Sequence, residues 1–220
     1  MRPSLLSLFL LSSSLLLSAC SSVDQFSASK DPKLKQTRQG TVNVTSRATG
    51  VPEGSIGKTT VMLIPVGAIK VRGDTSAQIM QGVEQALLAA GYNDPKTQSY
   101  TAKDAAYIRA HVEEIKMGNF LASSWATLVV HLRLETRDGG VLWSKRLRTS
   151  INALNNYNRT ATVAMNELVE DMAQAFIEED FYLATQRIKQ FNEFLQESAS
   201  LQEPLQEPAA TAPANTSPNP

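Results

Sequence analysis

The chain has 220 residues, 42% of them hydrophobic and 19% charged, enough for one domain of ordinary size with little left for a second. Its 21 basic and 21 acidic side chains cancel, which excludes a general nucleic-acid binder holding phosphates by a positive field. The single cysteine, Cys20, excludes an intrachain disulfide, so a packed core has to carry the stability.

Residues 1–20 are MRPSLLSLFLLSSSLLLSAC. Arg2 supplies a short positive start, Leu5 to Leu17 an apolar run holding only serine and hydrophobic residues, and small residues follow, as a signal peptidase requires. The run is shorter than the about 20 apolar residues of a spanning helix. Residues 1–19 are therefore expected to be a signal peptide cut between Ala19 and Cys20. The last four residues, Leu17-Ser18-Ala19-Cys20, resemble the lipobox of bacterial lipoproteins. That resemblance implies a diacylglycerol on the Cys20 thiol and an acylated amino group. Several acyl chains, at about 0.8 kcal/mol per buried methylene, make a stable anchor where one is marginal. Ser21 and Ser22 follow the cysteine, with no Asp to retain the protein at the inner membrane. The resemblance thus implies the periplasmic face of the outer membrane.

From Cys20 to residue 57 the chain is rich in Ser, Thr, Lys, Gln and Gly, the composition of a flexible tether, with some β character at Val42 and Val44. The domain is expected over 58–197. Thr60 to Val66 is a continuous apolar run, the pattern of one strand buried on both faces. Ile79, Val83, Ala86, Leu87 and Ala90 recur at helical spacing, and Gly91 follows as a stop. Tyr107 to Ile115 alternates. Ser124 to Thr136 alternates most clearly, with Ala126, Leu128, Val130, Leu132 and Leu134 on one face. Asp138-Gly139-Gly140 then signals a hairpin into Val141–Ser150. Thr160 to Glu179 is an amphipathic helix with a stripe through Leu168, Met172 and Phe176, and its pattern resumes from Phe181. The tail, 198–220, is dense in Pro, Ala and Thr and should be disordered. The expected fold class is α+β: a two-layer sandwich in the order β-α-β-β-β-α, with a mostly antiparallel sheet and the helices on one face.

Little of this carries catalytic chemistry. His111 and His131 fall in strands opposite the apolar face, without the spacing or third ligand a metal needs, so no metal is expected. Ser55 to Thr60 has a GKT triplet, but Pro52 stands where a phosphate loop needs glycine, and the segment precedes a strand instead of opening a helix. No nucleophile elbow or dinucleotide fingerprint is present, and no cofactor is expected. Trp125 and Trp143 are assigned to sheet packing. Lys145, Arg146 and Arg148 are assigned to a solvated strand face, and the acidic residues of 167–180 to a solvated helix face. Phe120 and Leu121, in an expected loop from Gly118 to Ser123, are the candidate contact with a partner or lipid.

Lipobox, apolar strand, helix ending in Ala-Ala-Gly-Tyr, Gly-Gly-Val-Leu-Trp hairpin and closing helix together resemble the YajG-type lipoproteins. Lipoproteins auxiliary to ABC-type lipid transport are similar in layout, with a turn comparable to Gly140-Val141-Leu142-Trp143. The resemblance covers about Thr60 to Phe191 and implies an envelope role without an assigned reaction. The expected function is a non-enzymatic interaction or accessory module of an envelope complex. The alternative is a lipid-binding auxiliary of an envelope lipid-transport system. Expected partners are the membrane, through the lipid anchor, and an envelope protein, but no nucleic acid.

Overall fold

The computed structural model describes residues 21–61, 64–93, 106–120, 123–154, 156–188 and 190. In chain order the strands and helices are β1 (Ser21–Val23), β2 (Asn43–Val44), β3 (Ser55–Val61), β4 (Ile64–Val71), α1 (Thr75–Ala89), β5 (Tyr107–Phe120), β6 (Ser123–Glu135), β7 (Val141–Leu154) and α2 (Tyr157–Ile177). Residues 179–188 form a further helix, α3. The strands make one sheet in the order β1-β4-β3-β5-β6-β7, with β2 added beside β5.

Period-2 patterning builds the β5–β6–β7 meander. Ala126, Leu128, Val130, Leu132 and Leu134 are buried on one side of β6, while Thr127, His131 and Arg133 stay accessible on the other. The Asp138-Gly139 turn closes β6 on β7 with Gly139 at φ 85°, a left-handed conformation that glycine reaches without strain. Helices α1 and α2 are each started by a side-chain cap: Asp74 accepts from the Ala77 amide and Asn156 from the Arg159 amide. Gly91, at φ 93°, ends the turn after α1. Helix α2 packs over β6, β7 and α1. The two helices meet closely at Gly82, where a Cβ would lie 3.1 Å from Met165 and Val169.

An aromatic cluster joins α3 to the sheet. The Phe181 ring centroid lies 4.8 Å from both Trp143 and Phe176 and 5.4 Å from Tyr92. Trp143 donates its indole N–H to Asp180 at 3.0 Å, so this tryptophan packs in the core. Burial pushes the Tyr92 hydroxyl well above its ordinary pKa.

Four expectations need correction. The α+β class holds, but the sheet is mixed, not mostly antiparallel: β3–β4, β5–β6 and β6–β7 are antiparallel, whereas β1–β4, β2–β5 and β3–β5 are parallel. The order β-α-β-β-β-α also fails, because strands precede the first expected one and that one is two. Thr60–Val66 is not a single doubly buried strand. The chain reverses inside it, Val61 pairing with Ile64 across a two-residue connection, and Ile64 is 66% exposed. A run apolar throughout hides its own turn.

The expected tether is the largest departure. Residues 21–57 are threaded through the fold, with Val23 and Phe26 fully buried and Val42, Ala48 and Ile56 nearly so. Their apolar residues are too widely spaced to show a period, and side chains distant in sequence satisfy their backbone. Gln78 takes the Phe26 amide at 2.7 Å, Asn158 takes that of Asp24 at 2.9 Å, and Asn166 takes those of Ser29 and Lys30. The expected tail at 198–220 lies outside the described residues.

Candidate functional site

The site grows from one end of the sheet. Leu17, Ser18, Ala19 and Cys20 lie outside the described residues, but Ser21, next in the chain, is already a sheet residue paired with Ile69. Its hydroxyl accepts from Thr59 Oγ1 at 3.2 Å. After β1, the Val23 carbonyl accepts the Arg72 amide at 2.8 Å. Asp24 exchanges two hydrogen bonds with Asn158 at the start of α2. The first described residues are thus clamped between β4 and α2.

Two hairpins end at the same end of the sheet, because β3 runs parallel to β5 with Gly57 beside Met117 and Lys58 beside Gly118. One is β3–β4, closed by Val61 and Ile64; the other is β5–β6, closed by Phe120 and Ser123. Gly57 is required at their seam: a Cβ there would sit 1.8 Å from the Met117 carbonyl oxygen. Beyond the seam Asn119 replaces the strand ladder. Its side chain accepts the Thr60 amide at 2.7 Å and donates to the Thr60 carbonyl at 2.8 Å, tying one hairpin to the other. Nothing in the sequence around Asn119 marks this role. A cleft of about 600 Å³ opens beside the seam, lined by Lys58, Lys116, Gly118, Asn119 and Trp125 among others. Trp125 lies across Gly118, where any Cβ would collide with its ring at 2.7 Å.

The expected loop from Gly118 to Ser123 is therefore a correction. Gly118, Asn119 and Phe120 belong to β5 and Ser123 to β6, with a two-residue connection between them. Phe120 closes this hairpin; Leu121 lies outside the described residues.

The helix-free face is held by ion pairs. Arg146 meets Glu113 at 2.6 Å, Arg109 meets Glu135 at 2.8 Å and Lys116 meets Glu114 at 2.7 Å. The hydrogen bond and charge of Lys116 hold the Glu114 carboxyl below the usual carboxylate range. His111 stands directly opposite His131, as their strand phases imply, and Thr49 Oγ1 lies 3.0 Å from His111 Nδ1. Among the described residues no three His, Cys, Asp or Glu side chains converge as metal ligands. The basic trio is divided between faces. Lys145 turns inward to Glu178 after α2, while Arg146 and Arg148 face away from the helices. Among the described residues β7 pairs only with β6, so its outer edge is open over Val141–Leu154.

No helix among the described residues is long and apolar enough to cross a membrane. No family model matches the chain, and no curated protein does. Among solved structures, a protein of the DUF330 family from Xanthomonas campestris matches 78% of this chain and 99% of its own, with 9% identity and a TM-score of 0.51. That is a likeness of fold. A minor lipoprotein from Acinetobacter baumannii matches 68% of this chain and 92% of its own, at 10% identity and a TM-score of 0.32. Lipoprotein GNA1162 from Neisseria meningitidis matches 61% of this chain and 99% of its own, at 11% identity and a TM-score of 0.27.

Proposed function

We propose that this chain is a lipoprotein anchored through Cys20 at the periplasmic face of the outer membrane, where it serves a protein assembly of the envelope as a non-enzymatic interaction module. The leader and the Leu17-Ser18-Ala19-Cys20 lipobox support the anchor. The observation that carries the interaction role is the outer edge of β7, a fourteen-residue strand that among the described residues pairs only with β6 and so turns the backbone groups of alternate residues outward. Such an edge accepts a strand from a partner, with main-chain bonds supplying affinity and alternate side chains specificity. Arg148 and Ser150 are exposed beside it and suit a polar partner segment. A photo-crosslinking residue in place of Ser150 in the membrane-bound protein should give one discrete adduct with an envelope protein. A ladder of weak adducts, or none, would contradict the proposal.

The second reading is a lipid-binding auxiliary of envelope lipid transport, in line with the layout shared with the ABC-transport lipoproteins. The cleft beside Trp125, with Lys58 among its lining residues, favours it: an apolar floor and a cation suit an acyl chain with an anionic headgroup. Native mass spectrometry of the Cys20→Ala protein separates the readings, since only the second predicts a co-purified lipid.

A further inference from the structure

The end of the sheet that carries the two hairpins reaches beyond the point where the chain enters the fold. Ser21 pairs with Ile69, and β1 and β4 run parallel, so whatever precedes Ser21 leaves toward the Ile64 end of β4. Five residues of strand separate Ile69 from Ile64. At about 3.3 Å per residue, one of them in a bulge, the hairpin end projects about 15 Å past Ser21. Cys20 is one peptide unit, about 3.8 Å, from Ser21. Ile64 therefore stands about 10 Å beyond any position Cys20 can take while β1 stays paired.

The surface at that end is unusual for one facing only water. Ile64 is 66% exposed and Pro65 is exposed beside it. Phe120 and Ser123 close the neighbouring hairpin, and Leu154 of β7 is paired with Ser123 at the same level. No Asp or Glu occurs in 55–71, the sequence of the β3–β4 hairpin itself. Lys58, in the strand behind the tip, is exposed. An exposed apolar tip on a hairpin that carries lysine and no carboxylate is complementary to a lipid headgroup layer and its acyl boundary.

We propose that the end of the β3–β4 hairpin, at Ile64 and Pro65, is a lipid-contact site that enters the same leaflet as the acyl chains on Cys20. This rests on Cys20 being acylated. With the acylated residue at the headgroup level, a hairpin that overshoots it by about 10 Å meets the bilayer unless the body tilts away or β1 unpairs. Anchor and hairpin give two attachments, which together fix the orientation of the sheet. The Asp138-Gly139 turn at its opposite end then points away from the membrane, with the open β7 edge rising between them.

The test uses the full acylated chain, in which Cys20 offers no free thiol. Ile64→Cys, Lys58→Cys and Val141→Cys each carry one polarity-sensitive fluorophore, in vesicles of phosphatidylethanolamine and phosphatidylglycerol with or without brominated acyl chains. Ile64 and Val141 are both more than half exposed, so neither substitution threatens the core. Bromination should remove about half or more of the emission at position 64, less at position 58 and none at position 141, as expected for burial at the acyl boundary. Equal emission with and without bromine at position 64, in protein whose mass shows the acyl chains on Cys20, overturns the hairpin site and leaves the anchor standing. A mature chain without acyl mass overturns the anchor and the hairpin site together.

Discussion

The two ends of the sheet solve opposite problems. Near the β6–β7 turn the large aromatic and basic side chains are engaged: Trp143 lies under Phe181 with its N–H on Asp180, Lys145 meets Glu178, and Arg38 reaches Glu179 at 2.7 Å, with Val141 exposed at the turn itself. At the hairpin end the backbone is locked just as firmly, by Gly57 and Asn119, yet Ile64 and Pro65 are left in the open. Rigid backbone under exposed apolar side chains is not a folding requirement, since burying an Ile would add about 1.5–3 kcal/mol. The difference teaches that one end is shaped by stability and the other by something outside the chain.

Substitutions can break that contrast. The largest effect is expected from Phe26→Ala, in the stretch whose composition suggests a tether: about 3–5 kcal/mol lost in urea unfolding, against almost nothing if residues 21–57 were a linker. Next, at the closed end, Trp143→Phe leaves the Asp180 carboxylate without its indole donor, and should cost about 1–3 kcal/mol. On the helix-free face, Arg146→Ala removes an ion pair with both partners partly in water. It should cost under about 1 kcal/mol, less at high salt. Smallest of all, Ile64→Asp should change stability by no more than about 0.5 kcal/mol while weakening vesicle attachment. A large stability loss there would mean that the hairpin end belongs to the core and would erase the contrast between the ends.

What the sequence disclosed follows from where each periodicity comes from. The β6 alternation is legible because helices cover one face and ion pairs the other, and Gly91 marks the end of α1 by local chemistry. Residues 21–57 are illegible because their order comes from Gln78, Asn158 and Asn166, polar helix residues that look solvated until the distant segment arrives. The parallel β1–β4 and β3–β5 pairings leave no mark in either strand alone, which is why the sheet was expected to be mostly antiparallel. Of the site, Phe120 was legible as an apolar residue at a chain reversal, though in a hairpin and not a loop. Ile64 was concealed inside a run whose hydrophobicity suggested burial on both faces.

The central claim is that the fold begins at the residue after Cys20, with no slack between anchor and body. Hydrogen–deuterium exchange of the acylated chain in vesicles tests it most directly, at the amides of Asp24 and Phe26, which Asn158 and Gln78 hold. Slow exchange there, comparable with that of β4, is the predicted result. Exchange at the rate of an unstructured peptide would contradict it and return residues 21–57 to the role of a tether.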